Sequence, residues 1–172
     1  MSETSSYITE DVKKFLQINK DTENEEQSRS LKKLLSVQDK ISIFRDIDPD
    51  ELKAIVYNLK FVKFKFKDYV IEQNDTNEEI FFIIDGECQV FHNKKKVGKL
   101  RAGEIFGESG AIFKSQRNAS VVCASEDATL LSFCIDENNM EFCASALAVL
   151  YKNLASEINA KLEEINFEFI KK

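Results

Sequence analysis

The sequence predicts a mainly β fold with flanking helices: an antiparallel β jelly-roll barrel followed by a long C-terminal helix. Three observations predict it. Between residues 60 and 135 apolar residues recur with a period near 2, in short runs separated by turn residues. Before residue 60 the period is helical, and Asp48-Pro49-Asp50-Glu51 is a helix-start signal. After Asp136 the helical period returns and no Gly or Pro interrupts it to the end of the sequence.

Taken in order, residues 7–18 can form a short amphipathic helix with Ile8, Val12, Phe15 and Leu16 on one side. Residues 19–30, NKDTENEEQSRS, carry no apolar side chain at all and read as a solvated linker. We therefore divide the chain into an acidic N-terminal helix and linker (1–30) and one domain (31–172), with the barrel at about 60–135 and C-terminal helices at 136–172. Leu31, Leu34, Leu35 and Ile41 resume a helical period. Asp48 can cap the next helix, Pro49 suits its first turn, Glu51 can reach back as in a capping box, and Leu52, Ile55, Val56 and Leu59 form its buried face. Val62, Phe64 and Phe66 then alternate with Lys63, Lys65 and Lys67, the pattern of a half-buried strand. Further strands are expected at 69–72, 79–84, 88–92, 96–101, 120–124 and 129–134. Turn signals at Asn74-Asp75, Asp85-Gly86, Asn93, Ala102-Gly103 and Glu126-Asp127 separate them. Short strands at this spacing favour a barrel or jelly roll over a doubly wound sheet. The final stripe, Leu147, Tyr151, Leu154, Ile158, Leu162, Ile165 and Phe169, marks one long helix.

Composition narrows the function. The 172 residues are 43% hydrophobic and 31% charged, with fourteen Phe, enough apolar material for a sizeable core. The net charge of −6 arises from the flanks: residues 1–30 and 136–172 each hold seven acids and four bases, and the middle is neutral. An acidic balance without clustered Lys and Arg argues against nucleic-acid binding. No apolar run is long enough for a membrane span, and the start is unlike a signal peptide, so a cytoplasmic location is expected. Cys88, Cys123, Cys134 and Cys143 lack the CxxC spacing of zinc sites and read as buried, reduced thiols. The single His92 cannot build a catalytic zinc site and reads as a strand-end residue. Lys94–Lys96 reads as a solvated hairpin tip. No Ser-His-Asp set or Walker-type loop is present, so the chain is not expected to be an enzyme.

One segment breaks the strand rhythm: Gly103-Glu104-Ile105-Phe106-Gly107-Glu108-Ser109-Gly110-Ala111-Ile112, then Arg117-Asn118-Ala119-Ser120-Val121. Gly107 and Gly110 allow a ligand close to the backbone. Amides around Ser109 to Ala111 can open a helical turn that attracts an anion. Arg117, nine residues past Glu108, can return across the loop and grip that anion bidentately. Glu108 is then placed to accept from a hydroxyl. Anion plus hydroxyl acceptor suits a sugar phosphate.

These residues resemble the phosphate-binding cassette of cyclic nucleotide-binding domains, as in bacterial cyclic AMP receptor proteins and kinase regulatory subunits. The family pattern is FGE-x-A-L followed, some residues later, by R-x-A-[TS]-V; here it stands as FGESGA and RNASV. VIEQND (70–75), FFIIDGECQVF (81–91) and LRAGEIFGE (100–108) resemble the family's other strand and turn motifs, so the likeness runs from about Ile43 to about Leu162. It implies that Glu108 binds the ribose 2′-hydroxyl with the Gly107 amide, and that Arg117 pairs with the cyclic phosphate. Ser109, Gly110, Asn118 and Ala119 would be further ligand-binding positions, with Val90 and Val97 lining the base pocket. Ser109-Gly110-Ala111 departs from the family's branched-Ala-Leu run, and Asn74 stands where Gly is usual. No Thr follows Arg117, which favours cyclic AMP over cyclic GMP.

The expected function is a stand-alone cyclic nucleotide-binding regulatory module that signals through its C-terminal helix to an unknown protein partner. Its alternative is a degenerate barrel acting as a ligand-free interaction scaffold. The C-terminal stripe either packs on the barrel or pairs two chains as a homodimer, and Phe167 and Phe169 have a third reading as lids over the base. Family transcription factors continue into a helix-turn-helix, whereas this sequence stops at Lys172, which again argues against nucleic acid.

Overall fold

A computed structural model describes residue 29 and residues 32–36, 38–136 and 140–170, the stretches 140–142 and 164–170 by backbone alone. The expected helix at 7–18 and most of the linker at 19–30 lie outside the described residues. The chain divides into two compact units, one spanning Tyr57–Ile135 and one combining the residues up to Val56 with those from Asp136.

The first unit is built of strands. β1 (Val56–Lys65), β8 (Asp127–Ile135), β3 (Ile80–Asp85) and β6 (Ile105–Phe106) form one four-stranded sheet in that order. β2 (Tyr69–Ile71), β7 (Ser120–Cys123), β4 (Glu87–His92) and β5 (Lys95–Arg101) form the other. Pairing is antiparallel, with Phe81 opposite Phe106, Ile83 opposite Leu130 and Val90 opposite Val121. Alternate residues of both sheets supply one core, including Ile71, Phe81, Ile83, Cys88, Leu100, Phe106, Val121, Cys123 and Leu130. This is the expected mainly β jelly-roll fold, although the two sheets do not close into a continuous barrel. All four cysteines are free thiols and buried.

Three local expectations need correction. Val56 and Leu59 are buried as expected, yet they belong to β1, because the chain leaves the helix at Val56 (φ −111°, ψ 124°). Phe66 does not continue the half-buried alternation: β1 ends at Lys65, and Phe66 is 55% exposed with the Lys67 ammonium 5.2 Å from its ring centre. The two residues Ile105 and Phe106, which carry no alternation of their own, form β6 by pairing with β3.

The second unit is helical. In α1 (Pro49–Ile55) Asp48 caps the N-terminus, accepting from the amides of Asp50 (2.8 Å) and Glu51 (3.3 Å). The Glu51 carboxylate accepts from Ser145 Oγ at 2.7 Å. A seven-residue helix is too short to persist alone. The cap contributes about 1 kcal/mol, less than the ~1.5–3 kcal/mol from burying each of Leu52 and Ile55, so packing holds the helix. The short helix α2 (Glu108–Phe113) belongs to the strand unit; the C-terminal helix α3 (Met140–Ile170) breaks at Cys143, where φ is −126° and ψ 26°. No Gly or Pro marks that break. Cys143 is 1% exposed, and burial of its side chain outweighs its modest helix propensity. Asn153 on α3 donates to the carbonyls of Ile43 (3.1 Å) and Arg45 (2.8 Å), and Leu147, Leu150 and Leu154 are buried.

Candidate functional site

The site is built where β6 turns into a short helix. The Phe81 and Phe106 rings stack with centres 5.3 Å apart, which fixes the end of β6. Gly107 follows at φ +84°, a left-handed conformation that admits glycine without strain. It caps α2 (Glu108–Phe113), which ends at Lys114, again left-handed at φ +48°. The chain then returns to Arg117, whose backbone is clasped from both sides. Its amide donates to Asp75 O (2.7 Å), and its carbonyl accepts from the amide of Asn74 (2.9 Å). Asn74 makes this turn at φ +73°, a conformation Asn tolerates where Gly is usual in the pattern.

Arg117 is only 3% exposed. Its Nε donates to Asn77 Oδ1 at 2.7 Å, and Nη2 donates to the same oxygen. Nη2 also donates to Glu79 O, and Nη1 to Gly107 O, each at 2.5 Å. Burial holds its pKa below the usual arginine value, countered by the charges of Glu79 and Asp75 and, further down, Glu108. A buried cation is costly unless matched by strong partners, and the acceptors of these hydrogen bonds are all neutral.

Around Arg117 lies a cavity of about 210 Å³. Gly107, Glu108, Ser109, Gly110, Arg117, Asn118, Ala119 and Val90 all line it, so eight of the nine expected positions come together. Val97 does not. It is 59% exposed, because Val90 faces Gly98 and Phe91 faces Lys96, leaving Val97 as the unpaired residue of a bulge. Leu100, on the other strand parity, lines the cavity with Ile71, Phe106 and Val121.

Sequence reasoning missed the residues that hold Arg117. Asn77 and Glu79 stand 40 and 38 positions away, with no local pattern to connect them. His92, read from the sequence as a strand-end residue, does end β4, and its Nδ1 donates to Asn118 O at 2.7 Å, tying that end to the Arg117 loop. Among the described residues no group of three or more His, Cys, Asp or Glu could hold a metal ion. No helix among them is long and apolar enough to cross a membrane.

Comparison with known proteins agrees with this geometry. Residues 61–140 match the family model of the cyclic nucleotide-binding domain. A cGMP-dependent protein kinase of Eimeria tenella is 30% identical over 109 residues, covering 62% of this chain and 11% of the kinase. The chain spans about a tenth of the length of the curated relatives it matches. Among solved structures, a cyclic nucleotide-binding domain from Methylobacillus flagellatus superposes with a TM-score of 0.64 at 18% identity, covering 83% of this chain and 84% of that one. The regulatory domain of Toxoplasma gondii protein kinase A, solved with cAMP, gives 0.57 at 16% identity, covering 75% and 51%. The cassette motif, the family model and the fold converge: residues 61–140 match the cyclic nucleotide-binding domain, and the fold is the one found in solved domains of that kind.

Proposed function

We propose that the chain is a regulatory module that binds a cyclic nucleotide in the cavity around Arg117. One observation carries this reading: a buried guanidinium at a cavity wall whose hydrogen bonds go only to neutral oxygens. A cyclic phosphate would supply a charged acceptor in place of these neutral ones. Charge-assisted hydrogen bonds are roughly twice as strong as neutral ones. Glu108, beside it in the cavity wall, would accept from the ribose 2′-hydroxyl, and Val90 with Leu100 would cover the base.

Cyclic AMP is the favoured ligand, because Asn118 rather than Thr follows Arg117. The Eimeria relative is a cGMP-dependent kinase and the Toxoplasma domain was solved with cAMP, so both belong in the test. The chain carries no catalytic role in this reading. It acts in the cytoplasm, where reduced thiols such as the four buried cysteines are the rule. It forms a homodimer through α3 and passes the ligand signal to a protein partner. A ligand-free scaffold is the second reading, favoured by a cavity smaller than the ~300–1,000 Å³ usual for small-molecule sites.

Thermal shift with cyclic AMP, cyclic GMP and linear AMP separates the two. At 100 times its Kd a ligand stabilises the fold by about 2.7 kcal/mol. A shift with cyclic AMP exceeding that with cyclic GMP, and none with linear AMP, is expected. No shift with either cyclic nucleotide would favour the scaffold.

A further inference from the structure

Arg117 reaches its cavity with most of its hydrogen-bonding capacity already used. A guanidinium has five N–H donors. Asn77 Oδ1 takes two, Glu79 O one and Gly107 O one, which leaves a single Nη1 donor among the described residues. A bidentate grip on phosphate needs two.

This pose depends on residue 110. A Cβ built on Gly110 falls 2.9 Å from Arg117 Nη1, 3.1 Å from Cδ and 3.4 Å from Cζ. Contacts under 3.0 Å do not persist, and the nearest atom is the far end of a flexible side chain. Alanine at 110 is therefore accommodated by the guanidinium moving away from α2, which draws Nη1 off Gly107 O. Gly110 is also where the cassette pattern usually has Ala, so the residue that permits the self-satisfied pose is a departure from that pattern.

Building on the reading that this cavity takes a cyclic nucleotide, we propose that Asn77 and Gly110 form an affinity-setting latch. It holds Arg117 on the protein's own oxygens until a phosphate draws it off. Both are positioning residues that act through Arg117. The latch stabilises the ligand-free protein and weakens binding, because apparent affinity falls with the fraction of molecules whose arginine is competent. A charged phosphate outcompetes a neutral carbonyl or amide oxygen, so the latch tunes affinity without abolishing it.

The test uses the full chain and the variants Asn77→Ala and Gly110→Ala. Calorimetry with cyclic AMP and cyclic GMP gives affinities, and NMR of the ligand-free proteins gives solvent exchange of Arg117 Nε–H. Wild type should show a slowly exchanging Nε–H that exchanges rapidly in Asn77→Ala. Gly110→Ala, which draws off one competing hydrogen bond, should bind cyclic AMP about fivefold more tightly, and Asn77→Ala, which removes two, at least as much more tightly. A purely structural role would weaken binding instead. Gly110→Ala keeps every hydrogen-bonding side chain, so it remains informative if Asn77→Ala folds poorly. Variants that bind with wild-type affinity or more weakly overturn the latch and leave nucleotide binding intact. If no protein binds either nucleotide, the binding reading fails and the latch falls with it.

Discussion

Arg117 has two tasks that a single substitution removes together. As a hydrogen-bond donor it satisfies Asn77 Oδ1 and the carbonyls of Glu79 and Gly107; as a cation it would meet the phosphate. Arg117→Ala should therefore abolish cyclic nucleotide binding and also lower ligand-free stability. Each buried acceptor left unpaired costs about 1–3 kcal/mol. Arg117→Lys keeps the charge but loses the fork, so it should bind at least ~10-fold more weakly while costing less stability. Glu108→Ala, which removes one hydroxyl contact, should weaken binding less than Arg117→Ala. Calorimetry and chemical denaturation on the three variants check this ranking; equal affinity for wild type and Arg117→Ala would remove Arg117 from the site. Arg117 and Glu108 were legible in the sequence because one short loop links them at a fixed spacing. Asn77 was not, since nothing local connects positions 40 apart. Val97 was misplaced because a bulge changes which residue faces inward, and bulges leave no alternation to read.

At the scale of elements, short apolar runs bounded by turn residues were readable to within a few positions, as β3 and β4 show. Where two propensities compete, packing decides: Val56 leaves its helix for β1, and Cys143 interrupts α3. The pairing of β4 with β7 has a testable consequence. It sets Cys88 opposite Cys123, and burial, with Cys123 adding to it, pushes the Cys88 thiol from 9.0 up to about 12. The folded state thus holds this proton where the unfolded chain has released it. The contribution is complete below pH 9 and is lost as pH rises from about 9 toward 12. Denaturation midpoints should fall over that interval, and less steeply in Cys88→Ala than in wild type. An identical slope in both proteins would show that Cys88 does not titrate this way. Thiol reagents at pH 8 should react with the native protein far more slowly than with the denatured one, because all four cysteines are buried and burial raises the pKa of Cys88, Cys134 and Cys143.

For the whole molecule the open partner is the face of α3. Exposure grows along its stripe, from Leu154 at 1% to Leu162 at 54%, and the side chains of Ile165, Phe167 and Phe169 lie outside the described residues. Periodicity revealed the stripe but not its occupant, because a core-facing helix and a self-pairing one repeat at the same interval. A two-fold dimer needs only one self-complementary patch. Sedimentation of the full chain at tens of micromolar should give a dimer, and Leu162→Glu should shift it toward monomer by placing a charge in the seam. A monomeric wild type would contradict the dimer. The claim on which the rest depends is that a cyclic nucleotide sits between α2 and Arg117. An NMR titration of the full chain with cyclic AMP tests it directly. The account predicts saturable shifts largest at the Gly107, Glu108, Gly110, Asn118 and Ala119 amides and at Arg117 Nε–H. Saturation with the main shifts elsewhere, or no shift at millimolar cyclic AMP, would contradict it.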